Sequence, residues 1–126
     1  MILIVDDEQD IREIYAMLLR DEGEIHQAED GFAAWEKASK LKYELILCDY
    51  KMPHCDGLSF SKLLREKENP NMQTPILMVT SYLGDIEDDK LNIENLFFLR
   101  KPVETKNLFR MVRIVTEGRI NPKGAA

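Results

Sequence analysis

The stretch Ile2-Leu3-Ile4-Val5-Asp6-Asp7-Glu8, near the start of the chain, decides the fold. Its first four residues are apolar and mostly β-branched. This predicts a strand covered on both faces, since a half-exposed strand would alternate apolar and polar residues. Three acidic residues follow where that strand ends. Apolar residues then recur at i, i+3, i+4, i+7 and i+8, which predicts an amphipathic helix over about residues 9–21.

This strand–helix unit recurs along the chain. Apolar segments at residues 45–48, 76–79 and 96–99 predict three more strands, and residues 24–28 predict a further, weaker one. Helices are predicted between and after these strands. One lies around 31–41, where Asp30-Gly31 open it and its apolar face is Phe32, Trp35, Ala38 and Leu41. A second lies around 58–64, and a third is weakly predicted within the acidic residues 84–92. The last begins at Pro102, and its inward-facing residues are Leu108, Met111, Val112 and Val115. Strands that are apolar throughout need helices on both faces. The pattern therefore predicts a doubly wound α/β sandwich with a parallel sheet.

The composition is that of one folded domain. The chain has 126 residues, of which 44% are hydrophobic and 32% charged. Its 17 basic and 23 acidic residues give a net charge of −6, which argues against direct, nonspecific nucleic-acid binding because phosphates would be repelled. Residues 100–126 nevertheless carry 7 basic and 2 acidic side chains, which predicts one basic face on the last helix. We place the domain at residues 1–118, with a tail or linker at 119–126.

The sequence also indicates where the protein works. Its longest apolar run, at residues 14–19, has six residues, far short of the ~20 that a membrane helix needs, and no signal peptide is recognisable. Cys48 and Cys55 fit neither a zinc pattern nor a disulfide scaffold. We therefore expect a cytoplasmic protein that has no membrane partner.

Polar residues stand at four predicted strand ends. Asp6-Asp7-Glu8 follow the first strand, Asp49 the third, Thr80-Ser81 the fourth and Lys101-Pro102 the fifth. Ligands of open α/β sheets bind at the carboxyl ends of the strands, so these groups should share one rim. Carboxylates crowded together repel one another unless a cation lies among them, and oxygen ligands suit Mg²⁺.

Such a rim can perform phosphoryl transfer. A magnesium ion and Lys101 would attract a phosphoryl group to Asp49, which could act as a nucleophile and form an acyl phosphate. The simpler alternative is a set of surface carboxylates that form ion pairs with a lysine. The residues alone leave both alternatives open.

Four separated motifs identify a family resemblance. The sequence at 2–8, the segment 49–57 with Met52-Pro53 and Gly57, Thr80-Ser81, and Lys101-Pro102 together resemble a bacterial two-component response-regulator receiver domain over about residues 1–117. The resemblance implies a flavodoxin-like (βα)5 fold, five parallel strands in the order 2-1-3-4-5. It also implies a phosphoacceptor signalling domain rather than an enzyme, with only its own phosphotransfer and autodephosphorylation.

The resemblance assigns roles to individual residues. Asp49 would receive the phosphoryl group from a sensor histidine kinase or a histidine phosphotransfer protein. Mg²⁺ would be held by Asp6, Asp7, Asp49 and the main-chain carbonyl of Lys51. Thr80 and Lys101 would contact phosphoryl oxygens, Phe98 would be the aromatic switch residue, and the Lys101–Pro102 bond would be cis. Activation would change the face formed by the fourth predicted helix, the fifth strand and the last helix.

Some features depart from the family pattern. Glu94-Asn95 replace the usual Gly-Ala pair, and the acidic residues 85–89 make the fourth predicted helix and the output surface atypical. Lys106, Arg110 and Arg113 form a basic stripe on the last helix. That stripe is either a solvated face or a site for a partner, which could be a kinase or the acidic segment of a second copy in a homodimer.

Two other function classes share parts of this pattern. A hydrolase with an aspartate nucleophile would have a similar acidic rim, but such enzymes usually need more sequence to cap a substrate. A flavin-binding module would share the sheet, but its phosphate-binding loop is replaced here by Asp-Asp-Glu, which would repel a phosphate. Sustained phosphomonoester turnover would favour the hydrolase, and a yellow protein would favour the flavin module.

Overall fold

The computed structural model describes residues 1–81 and 93–120, and it contains a parallel sheet with helices on both faces. Its elements in chain order are β1 (Ile2–Val5), α1 (Gln9–Leu19), β2 (Ile25–Ala28), α2 (Gly31–Ala38), β3 (Leu45–Asp49), α3 (Gly57–Glu66), β4 (Ile76–Thr80), β5 (Leu96–Arg100) and α4 (Thr105–Ile120). A short 3₁₀ turn, Arg20–Glu22, follows α1. The helix predicted within 84–92 lies outside the described residues.

The sheet confirms the predicted topology. All four strand pairings are parallel, and the strand order is β2-β1-β3-β4-β5. Every residue of β1, β3 and β4 is buried, as their uninterrupted apolar sequences predict for central strands. The edge strands β2 and β5 are mostly half-buried.

The sheet separates two hydrophobic cores. On one face, alternate strand residues such as Leu3, Ile46 and Met78 pack with α2 and α3. On the other face, their neighbours in the strands, such as Ile4 and Leu77, pack with α1 and α4. Because successive side chains of a strand point to opposite faces, each apolar run supplies both cores.

The central strands extend to the polar residues that follow their apolar runs. β3 includes Asp49, and β4 includes Thr80. Asp49 lies in register with Val79, and Thr80 with Arg100. The backbones of these two polar residues are therefore fixed by the sheet.

The helix from Gly31 differs from its prediction. It ends at Ala38, whereas Phe32 and Leu41, predicted on its apolar face, are 64% and 40% exposed. Ala38, also predicted on that face, is buried, and Ala34 is buried beside it. The buried face of α2 is Gly31, Ala34 and Ala38, at i, i+3 and i+7, so Phe32 lies about 100° around the helix from it. At Gly31 an added Cβ would lie 2.5 Å from Cys55 Sγ. The helix lies too close to the adjacent loop for a large side chain on that face.

The last helix begins later than predicted. Pro102 does not open it; α4 starts at Thr105, and the first helical hydrogen bond runs from Leu108 N to Glu104 O at 2.9 Å. The Lys101–Pro102 peptide is cis, and Val103 packs against the core before the helix starts. At its other end α4 continues through the predicted domain boundary at 118 to Ile120. That boundary remains a prediction, since residues 121–126 lie outside the described part of the chain. None of the helices described here is long and apolar enough to cross a membrane.

A buried asparagine ties together the amino-terminal end of the sheet. Asn71 is fully buried, and its Oδ1 accepts hydrogen bonds from Tyr43 N at 2.7 Å and Thr74 Oγ1 at 2.9 Å. Its Nδ2 donates to the carbonyls of Ala38 and Leu41, both at 2.7 Å. All four hydrogen-bonding positions of the amide are thus used to join α2, β3 and the β4 approach.

Replacing Asn71 by Ala should destabilise the fold strongly. The change leaves one buried N–H and two carbonyls without their partner, at a cost of about 3 kcal/mol or more in the free energy of unfolding. Urea denaturation measures this quantity. Gln73→Ala, at an exposed neighbouring position, is the matched control. Equal stability of the two variants would show that the Asn71 network does not hold the fold.

Candidate functional site

Three carboxylates meet at the carboxyl end of the central strands. Asp6 directly follows β1, Asp7 comes next, and Asp49 is the last residue of β3. Their carboxylate oxygens lie within 4.8 Å of one another. Asp6 and Asp49 are only 2% and 7% exposed, whereas Asp7 is exposed. We call these three residues the acidic cluster. Within residues 1–81 and 93–120, no other group of His, Cys, Asp and Glu has this ligand geometry.

A lysine from the fifth strand–helix unit completes the site. Lys101 Nζ lies 3.0 Å from Asp49 Oδ1, and its backbone N–H donates to the Thr80 carbonyl at 2.8 Å. Thr80 itself is buried at the end of β4. Lys51, whose carbonyl the resemblance assigns to the metal, is two residues beyond Asp49 and has an exposed side chain. The structure therefore brings Asp6, Asp7, Asp49 and Lys101 to one place, with Thr80 on the adjacent strand.

The site holds its charges at an electrostatic cost. Burial raises the pKa of Asp6 from its ordinary value of 3.8 to about 6; Asp49 and Asp7 add to the rise, and the Glu8 N–H and Lys101 oppose it. Burial also raises the pKa of Asp49, although its hydrogen bond and attraction to Lys101 act in the opposite direction. Burial lowers the pKa of Lys101, but Asp49, Asp6 and Glu8 together raise it above its ordinary value.

The donor set fits a magnesium ion. All three ligands are carboxylate oxygens, two of them are buried, and their mutual repulsion would be relieved by a divalent cation. Mg²⁺ binds hard oxygen ligands, usually through one or two carboxylates, and keeps part of its water shell. The exposed side of the cluster, at Asp7, leaves room for water and an incoming group.

The loop after Asp49 packs tightly against the strand that carries it. A Cβ added at Gly57 would lie 2.6 Å from the Asp49 carbonyl oxygen and 2.5 Å from Met78 Sδ. Gly57 N also donates to the Tyr50 carbonyl at 2.9 Å. Asp56 then caps α3 by accepting from Ser59 N at 2.8 Å. This close return of the chain requires glycine and fixes the backbone that follows Asp49.

Two residues beside the site were missing from the sequence-based prediction. The Arg12 guanidinium donates to the Asp6 carbonyl at 2.7 Å and to Gln27 Oε1 at 3.2 Å. Tyr15 is buried in α1, and burial together with the charges of Asp6 and Asp49 raises its pKa to about 12. Both belong to the amphipathic helix, where nothing in the local sequence separates a residue near the site from an ordinary helix residue.

The fold and this site define a receiver domain, and comparison with known families agrees. Residues 2–113 match the family described as the response regulator receiver domain. The chain belongs to this family, whose members act in two-component signalling, and the resemblance identified from the motifs is confirmed.

Individual relatives show how far the similarity extends. The transcriptional regulatory protein SrrA of Staphylococcus aureus (strain NCTC 8325 / PS 47) is 44% identical over 81 residues, which are 64% of this chain and 32% of SrrA. The chain thus spans about a third of the length of the curated relatives that it matches.

Solved structures match over nearly the whole chain. The chemotaxis response regulator CheY4 of Vibrio cholerae has a TM-score of 0.80 and 31% identity, covering 90% of this chain and 96% of CheY4. The response regulator TrrA of Thermotoga maritima, solved in complex with Mg(2+)-BeF, has a TM-score of 0.78 and 30% identity, covering 90% of this chain and 96% of TrrA.

Removing the charge of Asp6 should stabilise the metal-free protein at neutral pH. The pKa of Asp6 is about 6 in the folded protein, above its ordinary value of 3.8. The protonated side chain therefore stabilises the fold fully below about pH 4, and this stabilisation is lost as the pH rises through 6. Asp6→Asn should therefore gain on the order of 3 kcal/mol in free energy of unfolding at pH 7.5, and little at pH 4. Chemical denaturation in EDTA across this pH range measures the difference.

The control for this prediction is Glu13→Gln, which removes one negative charge from an exposed position on α1. Because Glu13 is exposed, this variant should lack the gain in stability at pH 7.5 that we expect for Asp6→Asn. An Asp6→Asn variant that is less stable than the wild type at pH 7.5 would contradict the electrostatic cost inferred for the buried carboxylate.

Proposed function

We propose that Asp49 accepts a phosphoryl group from a phosphohistidine on a sensor histidine kinase or a histidine phosphotransfer protein. The observation that carries the proposal is the acceptor geometry. Asp49 lies 3.0 Å from the Lys101 ammonium, and a carboxylate oxygen of Asp49 lies within 4.8 Å of those of Asp6 and Asp7. Membership of the receiver family supports the class of donor.

The proposed step is an in-line transfer. A carboxylate oxygen of Asp49 attacks phosphorus, and the new O–P bond gives an acyl phosphate. The P–N bond to the donor histidine breaks, and its electron pair returns to the imidazole nitrogen, which can be protonated. Lys101, which pairs with Asp49, would neutralise one phosphoryl oxygen, and Thr80, at the end of the adjacent strand, would donate a hydrogen bond to another.

Magnesium is the cofactor that we propose for this step. Asp6, Asp7, Asp49 and the main-chain carbonyl of Lys51 would hold it, and TrrA, solved with Mg(2+)-BeF, supports this choice. When bound, the ion would neutralise charge on the transferring group. Asp6 is held for this role by its own contacts, since its Oδ1 accepts from Glu8 N at 2.9 Å.

The output of the proposed reaction is a population shift. Phe98 in β5 lies in register with Met78 in β4 and packs half-buried against the core on the α2–α3 side. Contact between the phosphoryl group and Thr80 would favour a state in which Phe98 is more deeply buried. Phe98 has no hydroxyl group, so burial alone would drive this switch. The fourth predicted helix, which would share the changed face, lies outside the described residues.

The same proposal sets the protein's role in the cell. We infer a cytoplasmic signalling domain that turns over no external substrate beyond its own phosphotransfer and autodephosphorylation. Its net charge of −6 makes direct nucleic-acid binding by this domain unfavourable. Any DNA-directed output, as the name of SrrA suggests for that relative, would then come from another segment or partner.

Incubation with Mg²⁺ and acetyl phosphate should add one phosphoryl group to the protein. Intact-mass spectrometry measures the gain, which should disappear in EDTA and in Asp49→Asn. Asp56→Asn is the matched control, because an asparagine can still accept the capping hydrogen bond of α3 and its side chain is not in the acidic cluster. A gain that persists in Asp49→Asn, or none in folded wild type with its cognate kinase, would contradict the proposal.

The basic stripe on α4 gives a second prediction about partners. Lys106, Arg110 and Arg113 are all exposed and lie on one side of the helix at i, i+4 and i+7. We propose that they pair with the acidic residues 85–89 of a second copy. The variant Arg110→Glu/Arg113→Glu should then weaken self-association, measured by analytical ultracentrifugation, and added salt should weaken it in the wild type.

The control for the stripe is Lys37→Glu/Lys40→Glu, which makes the same change in charge at exposed positions in α2 and just after it. This variant should associate like the wild type. Equal association of both double variants, or a wild type that stays monomeric at every concentration, would remove the homodimer proposal.

A further inference from the structure

Arg12 links three elements next to the acidic cluster. Its guanidinium donates to the Asp6 carbonyl at 2.7 Å, just after β1, and to Gln27 Oε1 in β2 at 3.2 Å. Its own backbone N–H donates to the Glu8 carbonyl at 3.1 Å within α1. The side chains of Arg12 and Gln27 are both half-buried, so these hydrogen bonds are partly shielded from water.

Asp6 needs such a link because it stands beyond the end of its strand. β1 ends at Val5, but the Asp6 N–H still donates a sheet-type hydrogen bond to the Ala28 carbonyl at 3.1 Å. The Asp6 carbonyl instead receives the Arg12 guanidinium, and the Asp6 carboxylate receives the Glu8 N–H at 2.9 Å. The backbone and the side chain of this residue are thus fixed by separate donors.

Arg12 contacts the main chain of Asp6 and not its carboxylate. The Asp6 carboxylate accepts from the Glu8 N–H, whereas the hydrogen bond from Arg12 goes to the Asp6 carbonyl. Arg12 binds the carbonyl, on the main chain, and is itself oriented by an uncharged partner, Gln27. A planar guanidinium can hold two acceptors at once in a fixed arrangement, which a lysine cannot do.

We propose that Arg12, oriented by Gln27, is a positioning residue that fixes the Asp6 carboxylate for metal binding and thereby sets the affinity of the acidic cluster for Mg²⁺. This inference rests on the magnesium site of the proposed function. Partners of this kind, one step removed from the metal, typically change affinity by ten- to a hundredfold when they are replaced.

Titration calorimetry with Mg²⁺ tests the inference. Arg12→Met and Gln27→Leu should each raise the Kd for Mg²⁺, by about tenfold for Arg12→Met. Their double variant should bind hardly more weakly than Arg12→Met alone, because the two side chains act as one unit. Arg12→Lys, which keeps the charge and one donor, should fall between the wild type and Arg12→Met. Arg20→Met, at an exposed position with the same loss of charge, is the control and should leave the Kd nearly unchanged.

A second measurement on the metal-free protein separates positioning from metal chemistry. Hydrogen exchange of the Glu8 amide, which donates to the Asp6 carboxylate, should be several-fold faster in Arg12→Met and Gln27→Leu than in the wild type. Exchange in β3 and β4 should not change. A general loss of stability would instead speed exchange in these strands as well.

The outcomes distinguish the two proposals. If Arg12→Met and Arg20→Met change the Kd equally, or if Glu8 exchange is unaltered in Arg12→Met, the positioning role is overturned. If the wild type fails to bind Mg²⁺ at all, the proposed magnesium site fails and the role of Arg12 in metal affinity fails with it. Faster Glu8 exchange would then still show that Arg12 orders the turn.

Discussion

The repulsion between two buried carboxylates is the constraint on which the site depends. Asp6 and Asp49 are held together by the central strands of the sheet, in surroundings that disfavour their charged forms. Lys101 compensates one of them through a 3.0 Å ion pair, and Asp7 adds a further negative charge. The folded protein therefore retains an unbalanced negative charge that a cation can relieve, because the sheet prevents the carboxylates from moving apart.

The fold could be predicted because the sequence of each central strand shows that the strand is buried. Runs such as Ile2–Val5 have no polar residue to face water, which requires a layer of helices on each side. Helix faces were less predictable. Phe32 matched the helical period but is exposed, because α2 buries the face of Gly31, Ala34 and Ala38, where it approaches the loop containing Cys55. Spacing between elements is a property of tertiary packing, which a periodic pattern does not contain.

The candidate site was predictable for a different reason, since parallel strands bring their carboxyl ends to one edge. Asp6, Asp49 and Lys101 are distant in sequence, but the topology alone places them side by side. Arg12 and Asn71 escaped prediction because their roles depend on hydrogen bonds to backbone groups of other elements. A carbonyl offers the same acceptor in every residue, so the sequence does not show which side chain will reach it.

The position of β5 at the edge of the sheet makes this strand easier to displace than a central strand. β5 pairs with β4 alone, whereas β1, β3 and β4 each have neighbours on both sides. At the amino-terminal end of β3 and β4, the hydrogen-bonding capacity of Asn71 is filled, so a displacement there would break several bonds at once. A small rearrangement of β5 disturbs a single ladder and repacks half-buried aromatic rings. The sheet thus has two borders held by a single ladder, β2 and β5, and only β5 leads directly into Lys101. A shift of β5 would therefore move the ammonium group that pairs with Asp49.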